Sequence, residues 1–434
     1  MPPLNLPRKL TTPAPQDAIS SASCILVTMI SMLRRERFAV WLRPGTQKAA
    51  ASGHPWVYRN QIDPAAGDLA AMPAVEPGSL VSVHDSRGRY LGSGFFNSNS
   101  MITIRLLTHQ HEVLDETLIE RRIEAALAFR AANRRPDTDS YRLVFAEADR
   151  LPGLIVDQFG DTLVLQVLAL GMARWQETAA ACLAEKLRPA RLILKNDDPI
   201  RLKEGLPLEQ RAWLGDLVRQ VTIRENGLLM QADLGQGQKT GYFLDQKANH
   251  LRLRRFAANR RVLDAFCYSG GFALNAAAAG AAAVTAVDIS PEALILARAN
   301  AERNGLADKM QFALANAFDF LRQAVTEKRA YDTIVLDPPA FTKSHGARDA
   351  ARRGYKEINL SAFRLLGPGG ILVTHSCSYH MPEAMFIETV LEAAWDARRT
   401  VRILAVHRQD FDHPVLGSYP ESHYLKSLWL EVIA

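Results

Sequence analysis

Asp337 and Cys377 stand at the ends of two successive predicted strands and could together carry out chemistry on a planar base. Asp337 begins the segment Asp337-Pro338-Pro339. The two prolines end the strand, because they offer no N–H groups to a sheet, and they form a rigid rim. A carboxylate at such a rim can accept hydrogen bonds from the amide or amidine edge of a nucleobase. This segment therefore predicts a site for a base.

The segment Ser376-Cys377-Ser378 follows the next strand, so the thiol is expected at the same sheet edge as Asp337. A lone cysteine is usually a small buried apolar residue, but this position favours a nucleophile. Carbon 5 of a pyrimidine is a poor nucleophile, and addition of a thiolate at carbon 6 turns it into an enamine that can take a methyl group. Cys267 is the rival thiol, and packing is its expected role.

A second group of residues has the pattern of an adenosine-type cofactor site. Asp264 ends a strand, a loop with the glycine pair Gly270-Gly271 follows, and Asp288 ends the next strand. Glycines allow a ligand to approach the backbone, and an acid at the second strand end can bind ribose hydroxyls. The loop lacks the GxGxxG pattern that a pyrophosphate needs, which favours S-adenosylmethionine over a dinucleotide. A glycine-rich turn in a fold that binds nothing is the alternative.

Four further residues are predicted to contact this cofactor. Asn316 and Ala317 follow the third strand, near the expected position of the adenine ring, although an asparagine there can simply end a strand. Phe266 lies in the glycine-containing loop, and Ile289 follows Asp288.

The segment after the two prolines is strongly basic. From Phe341 to Lys356 there are five cations and one acid, Asp349, which gives a charge of +4 in sixteen residues. Three of the cations are spaced four apart and would form one stripe on a helix. Phosphate contact is the predicted role, with a solvated surface face as the alternative. The predicted RNA-contacting set is Pro338, Pro339, Phe341, Lys343, Arg348, Arg352, Arg353 and Lys356.

The order of predicted elements divides the 434 residues into four parts. Residues 1–32 are rich in proline and predicted to be a disordered extension, and residues 33–110 are short strands of a small β-rich barrel. Residues 111–225 form an α+β module. Residues 226–434 alternate short buried strands with helices, which predicts an α/β, doubly wound, Rossmann-like sheet.

Composition narrows the class of protein. Hydrophobic residues make up 48% and charged residues 23%, which are ordinary values for a globular protein, and the net charge of +6 permits a polyanionic partner without requiring one. The four cysteines form no CxxC pair, so neither a metal site nor a disulfide framework is expected, and a cytoplasmic location is favoured. No apolar run approaches the ~20 residues that cross a bilayer.

Several of these stretches, in order, resemble a known family over roughly residues 36–434. They include QGQKTGYFLDQKANH, DAFCYSGGFAL, VDIS, DPPAF and SCS, and near the front RPGTQKAAASGHPWVYRNQI and RLPGLIVDQFGDTLVLQ. The chain resembles the class I S-adenosylmethionine-dependent ribosomal RNA methyltransferases of the RlmI type.

The resemblance implies a PUA domain, a small α+β domain and a methyltransferase domain that methylates carbon 5 of a cytidine in large-subunit (23S) ribosomal RNA. It implies that Cys377 is the nucleophile and Asp337 the motif acid, and that Asp264, Gly270 and Asp288 contact the cofactor. Tyr242, Phe243 and Gln246 are implied to line the cofactor site, with core aromatics as the alternative for the first two. A homodimer and an assembling large subunit are further implied partners.

One departure from the pattern of cytosine-5 methyltransferases keeps alternative functions open. Ala340 follows the second proline, where another group of cytosine-5 methyltransferases has a second cysteine, so the base that would release the adduct is not identified. Related enzymes with a similar DPP segment methylate guanine without a covalent intermediate. An RNA-binding ribosome-assembly factor without activity is a further alternative, and a dehydrogenase is disfavoured by the missing GxGxxG.

Overall fold

A computed structural model describes residues 38–67, 75–235, 240–341 and 348–434. The predicted extension over residues 1–32 lies outside these ranges, and so does Lys343. Among the described residues, no helix combines the length and the apolar character that crossing a bilayer requires.

The first part of the chain folds into a six-stranded sheet, as the short alternating strands predict. Its strands follow the order β2-β6-β5-β4-β1-β3, and one short helix, α1, precedes β2. The elements are β1 Phe38–Leu42, α1 Lys48–Ala51, β2 Trp56–Val57, β3 Ile62–Gly67, β4 Leu80–His84, β5 Tyr90–Phe96 and β6 Ile104–Thr108.

The central part is an α+β module built on a five-stranded sheet of order β11-β10-β9-β8-β7. The long helix α2 begins after Asp115, whose side chain accepts a hydrogen bond from the Leu118 backbone N–H, a stabilising arrangement at a helix N-terminus. The elements are α2 Glu116–Ala131, β7 Ser140–Phe145, β8 Leu154–Phe159, β9 Thr162–Val167, α3 Leu170–Ala173, α4 Gln176–Leu187, β10 Arg191–Asn196, α5 Ile200–Glu204 and β11 Glu209–Leu214.

The predicted boundary between residues 225 and 226 coincides with the turn of a β-hairpin. Strands β12 Gln220–Glu225 and β13 Leu228–Asp233 pair antiparallel. Asn226 and Gly227 form the turn and both have positive φ, 54° and 78°, which is the conformation that an Asn-Gly hairpin turn requires. This dipeptide was interpreted as a break between domains, whereas it joins two paired strands.

The C-terminal part is a seven-stranded, doubly wound sheet of order β16-β15-β14-β17-β18-β20-β19. Only β20 runs antiparallel to its neighbours. The elements are α6 Lys247–Leu253, β14 Arg261–Asp264, α7 Gly271–Ala278, β15 Ala283–Asp288, α8 Pro291–Arg303, β16 Met310–Leu314, α9 Ala317–Thr326, β17 Tyr331–Leu336, α10 Arg348–Leu365, β18 Leu366–Ser376, α11 Glu383–Asp396, β19 Val401–His407 and β20 Lys426–Val432.

Both faces of this sheet are buried, which explains the nearly continuous apolar character of its strands. Successive residues of a strand point to opposite faces, and accordingly Val262 and Leu263 belong to two different hydrophobic clusters. The cluster that contains Val262 also includes Phe159, Val164 and Ile193 from the central sheet. The central module therefore shares a core with the C-terminal domain.

Candidate active site

The candidate site lies at one edge of the C-terminal sheet. Strands β15, β14, β17 and β18 are adjacent and parallel, so their carboxyl ends meet at this edge. Asp288, Asp264, Asp337 and Cys377 stand at or just after these four ends. Ligands of open α/β sheets bind beside the carboxyl ends of the strands, and the fold thus brings together the four residues that the sequence singled out.

The loop after β14 contains two positions that favour glycine. Gly270 has a φ of +89° and directly precedes α7, a left-handed conformation that glycine adopts without strain. Gly271 has a different reason to be glycine, because a Cβ atom there would lie 2.4 Å from the His250 ring. That ring is held by Glu225, whose Oε1 lies 2.7 Å from Nδ1.

Asp264 supplies a buried carboxylate with one open acceptor. Its Oδ2 accepts a hydrogen bond of 3.0 Å from the Ala273 backbone N–H, whereas Oδ1 is buried and has no hydrogen-bond partner among the described residues. Burial, followed by the charge of Asp337, raises the pKa of Asp264 to about 7. A cationic ligand group at Oδ1 would satisfy this oxygen and favour the charged form.

Asp288 is half-buried, and each of its oxygens accepts a backbone hydrogen bond, from Tyr268 at 2.8 Å and Ser290 at 3.0 Å. These bonds fix its orientation at the end of β15 and leave further acceptor positions on both oxygens. Beside it, Ile289 and Leu314 are 67% and 60% exposed. Two exposed apolar side chains at adjacent strand ends offer a surface for a flat aromatic ring.

The other predicted cofactor residues lie around the same strand ends. Asn316 is exposed and precedes α9, where its side-chain oxygen accepts a hydrogen bond from the Phe318 N–H. The asparagine thus ends a strand and begins a helix, while its amide N–H₂ remains available. Ala317 is buried, and Phe266 is half-buried against the core. Tyr242 is a core aromatic, 2% exposed, and Phe243 packs edge-on against Tyr268.

Gln246, which directly precedes α6, contacts the acid of the DPP segment. It is buried, and its Nε2 donates a hydrogen bond of 3.0 Å to Oδ2 of Asp337. Its Oε1 accepts from Asn249 at 2.7 Å, which fixes the orientation of the amide. The sequence resemblance implied that Gln246 lines the cofactor site, and the structure shows in addition that it holds the acid of the DPP segment.

Cys377 lies beside this segment and is half-buried. Its Sγ is 4.0 Å from the carbonyl oxygen of Pro338, so the thiol lies at the strand edge next to Asp337. Cys267 is different. It is 4% exposed and belongs to a hydrophobic cluster, and burial raises the pKa of its thiol well above the usual value. Packing is the role that these surroundings support for Cys267.

Ser378, one of the residues whose role the sequence did not indicate, connects the segments around Cys377. Its hydroxyl oxygen accepts a hydrogen bond of 3.1 Å from the Phe341 N–H and lies 2.9 Å from the Tyr355 hydroxyl. The Phe341 ring packs against Tyr355 and Phe318. Phe341, predicted to contact RNA, therefore anchors the DPP loop to α10, while Pro338 is buried and Pro339 exposed.

The predicted basic stripe is helical, and two of its cations are partly exposed and paired with carboxylates of the protein. Arg352 pairs with Glu392, and Lys356 pairs with Asp396 at 2.9 Å, because this face of α10 packs against the acidic face of α11. Protein carboxylates thus already pair with Arg352 and Lys356, and phosphate contact by these two residues stays a prediction. Arg348 is half-buried, and Arg353 is exposed and forms no ion pair with a described residue.

The N-terminal domain reaches the rim of the site through aromatic and charged side chains. Trp56 donates a hydrogen bond of 2.8 Å to Glu147 and packs edge-on against Tyr419, which gives it a structural role. Glu421 contacts both His54 and Tyr379. Tyr379 is 55% exposed and follows Cys377 by two residues. No local pattern in the sequence indicates this connection.

These features fit S-adenosylmethionine. The open oxygen of Asp264 suits its α-ammonium group, the carboxylate of Asp288 suits the ribose hydroxyls, and the apolar surface of Ile289 and Leu314 suits the adenine. No described residue supplies a cluster of cations at the glycine-containing loop for a pyrophosphate. The fold and this site define an S-adenosylmethionine-dependent methyltransferase.

Comparison with known proteins supports this assignment. The sequence profile of the S-adenosylmethionine-dependent methyltransferases matches residues 186–405, and that of PUA-like domains matches residues 40–109. The chain is 39% identical over 398 residues to the ribosomal RNA large subunit methyltransferase I of Klebsiella pneumoniae (strain 342), covering 90% of this chain and 98% of that protein. It is 40% identical to the Shewanella amazonensis protein of the same name, covering 89% and 97%. The chain belongs to the ribosomal RNA large subunit methyltransferase I family.

Solved structures with the same fold extend over most of the chain. A Streptococcus mutans protein assigned to the S-adenosylmethionine-dependent methyltransferases superposes with a TM-score of 0.76 at 20% identity, covering 91% of this chain and all of that one. A second methyltransferase structure, solved as a complex with SAH, superposes with a TM-score of 0.77 over the same shares. The expected family, fold class and cofactor are thereby confirmed.

Proposed function

We propose that this enzyme methylates carbon 5 of a cytidine in large-subunit ribosomal RNA through a covalent adduct with Cys377. The observation that carries the proposal is the position of this thiol, half-buried at the same sheet edge as Asp337 and next to the cofactor site. We infer that the substrate is large-subunit ribosomal RNA from the names of the relatives. We infer that the base is a cytosine from the presence of the thiol, since a guanine methyltransferase needs no nucleophile at that position.

The proposed reaction has three successive steps. The Cys377 thiolate adds to carbon 6 of the cytosine, so that an S–C6 bond forms and electron density moves to carbon 5. When bound, S-adenosylmethionine would supply the electrophilic methyl group for carbon 5, with S-adenosylhomocysteine as the leaving group. Loss of the carbon-5 proton to a base and cleavage of the S–C6 bond then restore the aromatic ring and free Cys377.

Asp337 and Gln246 would hold the base during these steps. Asp337 presents a carboxylate that can accept from the exocyclic amine or from a protonated N3, and protonation at N3 balances the negative charge that builds up after thiolate addition. The hydrogen bond from Gln246 keeps this carboxylate in position. A base in contact with both Asp337 and Cys377 must leave any helical stack, which favours single-stranded or locally opened RNA.

Mapping of the modified nucleosides tests the proposal most directly. Large-subunit RNA from cells with and without the protein is digested and analysed by mass spectrometry. We expect one 5-methylcytidine to disappear with the protein and to return when the gene is restored. An unchanged content of 5-methylcytidine, or loss of a methylguanosine instead, would contradict the cytosine assignment. Incubation with naked RNA and with ribosomal particles then shows which of them is the substrate.

The adduct can be tested separately. In RNA transcribed with 5-fluorocytidine, carbon 5 has no proton to lose, so the S–C6 bond should persist. We expect a protein–RNA band that resists denaturing gel electrophoresis, depends on S-adenosylmethionine and is absent in Cys377→Ser. The matched control is Cys267→Ser, which should retain the band. A band that persists in Cys377→Ser would exclude Cys377 as the nucleophile.

A further inference from the structure

Lys426 is a buried cation next to Cys377, and no step of the proposed reaction uses it. It begins β20 and pairs with Ser376 across the antiparallel ladder. Its side chain is 3% exposed, and Nζ donates a hydrogen bond of 2.8 Å to the carbonyl oxygen of Ser378. The backbone of Lys426 is thereby paired with the residue before Cys377, and its ammonium group is bonded to the residue after it.

A buried lysine normally has an acidic partner. Lys426 forms no ion pair with a carboxylate in the described parts of the chain, and its ammonium group donates a hydrogen bond to a neutral carbonyl. Burial lowers the pKa of Lys426 to about 8, while Cys377 and Glu383 oppose this shift. An ammonium kept in such surroundings costs free energy, and an anion formed nearby would offset that cost.

We propose that Lys426 holds Cys377 in the thiolate form, as a positioning residue that acts through the sulfur. This inference rests on the proposed function, in which the thiolate is the attacking species. When the thiol ionises, its proton goes to solvent, and the fixed ammonium stabilises the charge on Sγ. A cation beside a cysteine favours the thiolate, and each step of thiolate addition depends on the fraction that is ionised.

Other charged groups act on the same thiol and lysine from the elements packed around them. Asp337 at the end of β17 and Tyr355 on α10 lie near Cys377, and an ionised carboxylate at Asp337 opposes thiolate formation. Glu383 on α11 and His423, which precedes β20, lie near Lys426 and contact each other at 3.5 Å. Lys426 is the cation that would offset the carboxylates in this group.

The test measures how the alkylation of Cys377 in the full-length protein depends on pH. Iodoacetamide is the probe, and peptide mass spectrometry follows Cys377 alone. In the wild-type protein we expect the inflection below the ordinary cysteine value of about 8.5. In Lys426→Met, which keeps the length of the side chain and removes the charge, we expect a rise of about one pH unit and an alkylation rate near pH 7 that is about tenfold lower. Lys426→Arg should stay close to wild type.

Two outcomes would overturn the inference. One is a wild-type inflection at or above the ordinary value, which requires no variant and holds even if Lys426→Met does not fold. The other is an unchanged inflection in a Lys426→Met protein whose S-adenosylmethionine binding, measured by calorimetry, shows it to be folded. Alkylation needs no RNA, so the two proposals can fail independently. If alkylation shows no effect of Lys426, the assignment of the methylated nucleoside to cytidine is not affected. If the methylated nucleoside is not cytidine, the coupling of Lys426 and Cys377 is not affected.

Discussion

The proposed cofactor half and the proposed reaction half of the candidate site are built in different ways. The cofactor half consists of Asp264, the loop to Gly271 and Asp288, which lie within 25 residues of one another, and backbone N–H groups hold both carboxylates. The reaction half joins Gln246, Asp337, Cys377 and Lys426, which come from widely separated parts of the chain and are connected by side chains. The first half depends on local backbone geometry and the second on the sheet order.

This difference decides where a substitution acts. In the cofactor half, one buried oxygen of Asp264 is left open toward a ligand, so a change there should affect binding of the cofactor. In the reaction half, Gln246 holds the Asp337 side chain and Lys426 bonds to the backbone beside Cys377, so a change there should affect the reaction while the cofactor still binds. The two cysteines show the same contrast, since Cys267 is buried in the cofactor loop and Cys377 is half-buried at the rim.

The largest effect is expected from the pair of cysteines. Cys377→Ser should lower methyl transfer by at least ~10³-fold, because the nucleophile is lost, and should leave binding of S-adenosylmethionine unchanged. Cys267→Ser should keep most of the activity and lose about 1 kcal/mol of stability from a buried hydroxyl. The measurements are tritium transfer to RNA and calorimetry. Comparable activity losses in the two variants would remove the distinction between the halves.

Asp264→Asn should weaken S-adenosylmethionine binding by about 10- to 100-fold, the value of a hydrogen bond to a charged group. The neutral amide cannot balance the α-ammonium group, although its shape is nearly the same. Calorimetric titration gives the affinity. At saturating cofactor the rate of methyl transfer should recover, and a rate that stays low would place Asp264 in the reaction half.

Binding of the cofactor should weaken as the pH falls. The pKa of Asp264 is raised to about 7, so the carboxylate becomes protonated below that pH and loses its attraction for a cation. Between pH 7.5 and pH 6 we expect the dissociation constant to rise by nearly tenfold, as a single site with this pKa requires. Asp264→Asn should abolish this dependence, and an equally steep curve in the variant would assign it to another group.

The smallest effect concerns RNA. Arg353→Gln should weaken RNA binding by a few fold and reduce the slope of the salt dependence by about one, because an exposed arginine that contacts phosphate releases one counterion. Arg352→Gln is the matched control, since Arg352 is already paired with Glu392. Filter binding at several salt concentrations gives both slopes. A larger change of the slope in the Arg352 variant than in the Arg353 variant would mean that the Arg352–Glu392 ion pair breaks when RNA binds.

Much of the site could be predicted because its residues follow recognisable strand ends. The acids Asp264, Asp288 and Asp337 each close a short apolar strand, and parallel strands bring their carboxyl ends to one edge. Gly270 was predictable for a related reason, since a turn into a helix often needs a residue with positive φ. These signals lie within a few residues of the feature that they indicate.

Other features depended on contacts that no local pattern reports. The Asn-Gly dipeptide at residues 226 and 227 is the turn of a hairpin, and this role depends on which strands pair across it. The α10 stripe was correctly placed on a helix, but the acidic face of α11 that neutralises Arg352 and Lys356 lies some 40 residues further along the chain. Spacing within a helix does not reveal what the helix packs against.

The sequence by itself determined the doubly wound sheet, the cofactor loop and the two residues, Asp337 and Cys377, at neighbouring strand ends. Only the tertiary structure showed that Gln246 holds the Asp337 carboxylate and that Lys426 lies buried beside Cys377. The physical reason is the range of the forces involved. Backbone conformation and strand ends follow from adjacent residues, whereas the charge around a thiol depends on groups that the sheet order brings together from distant parts of the chain.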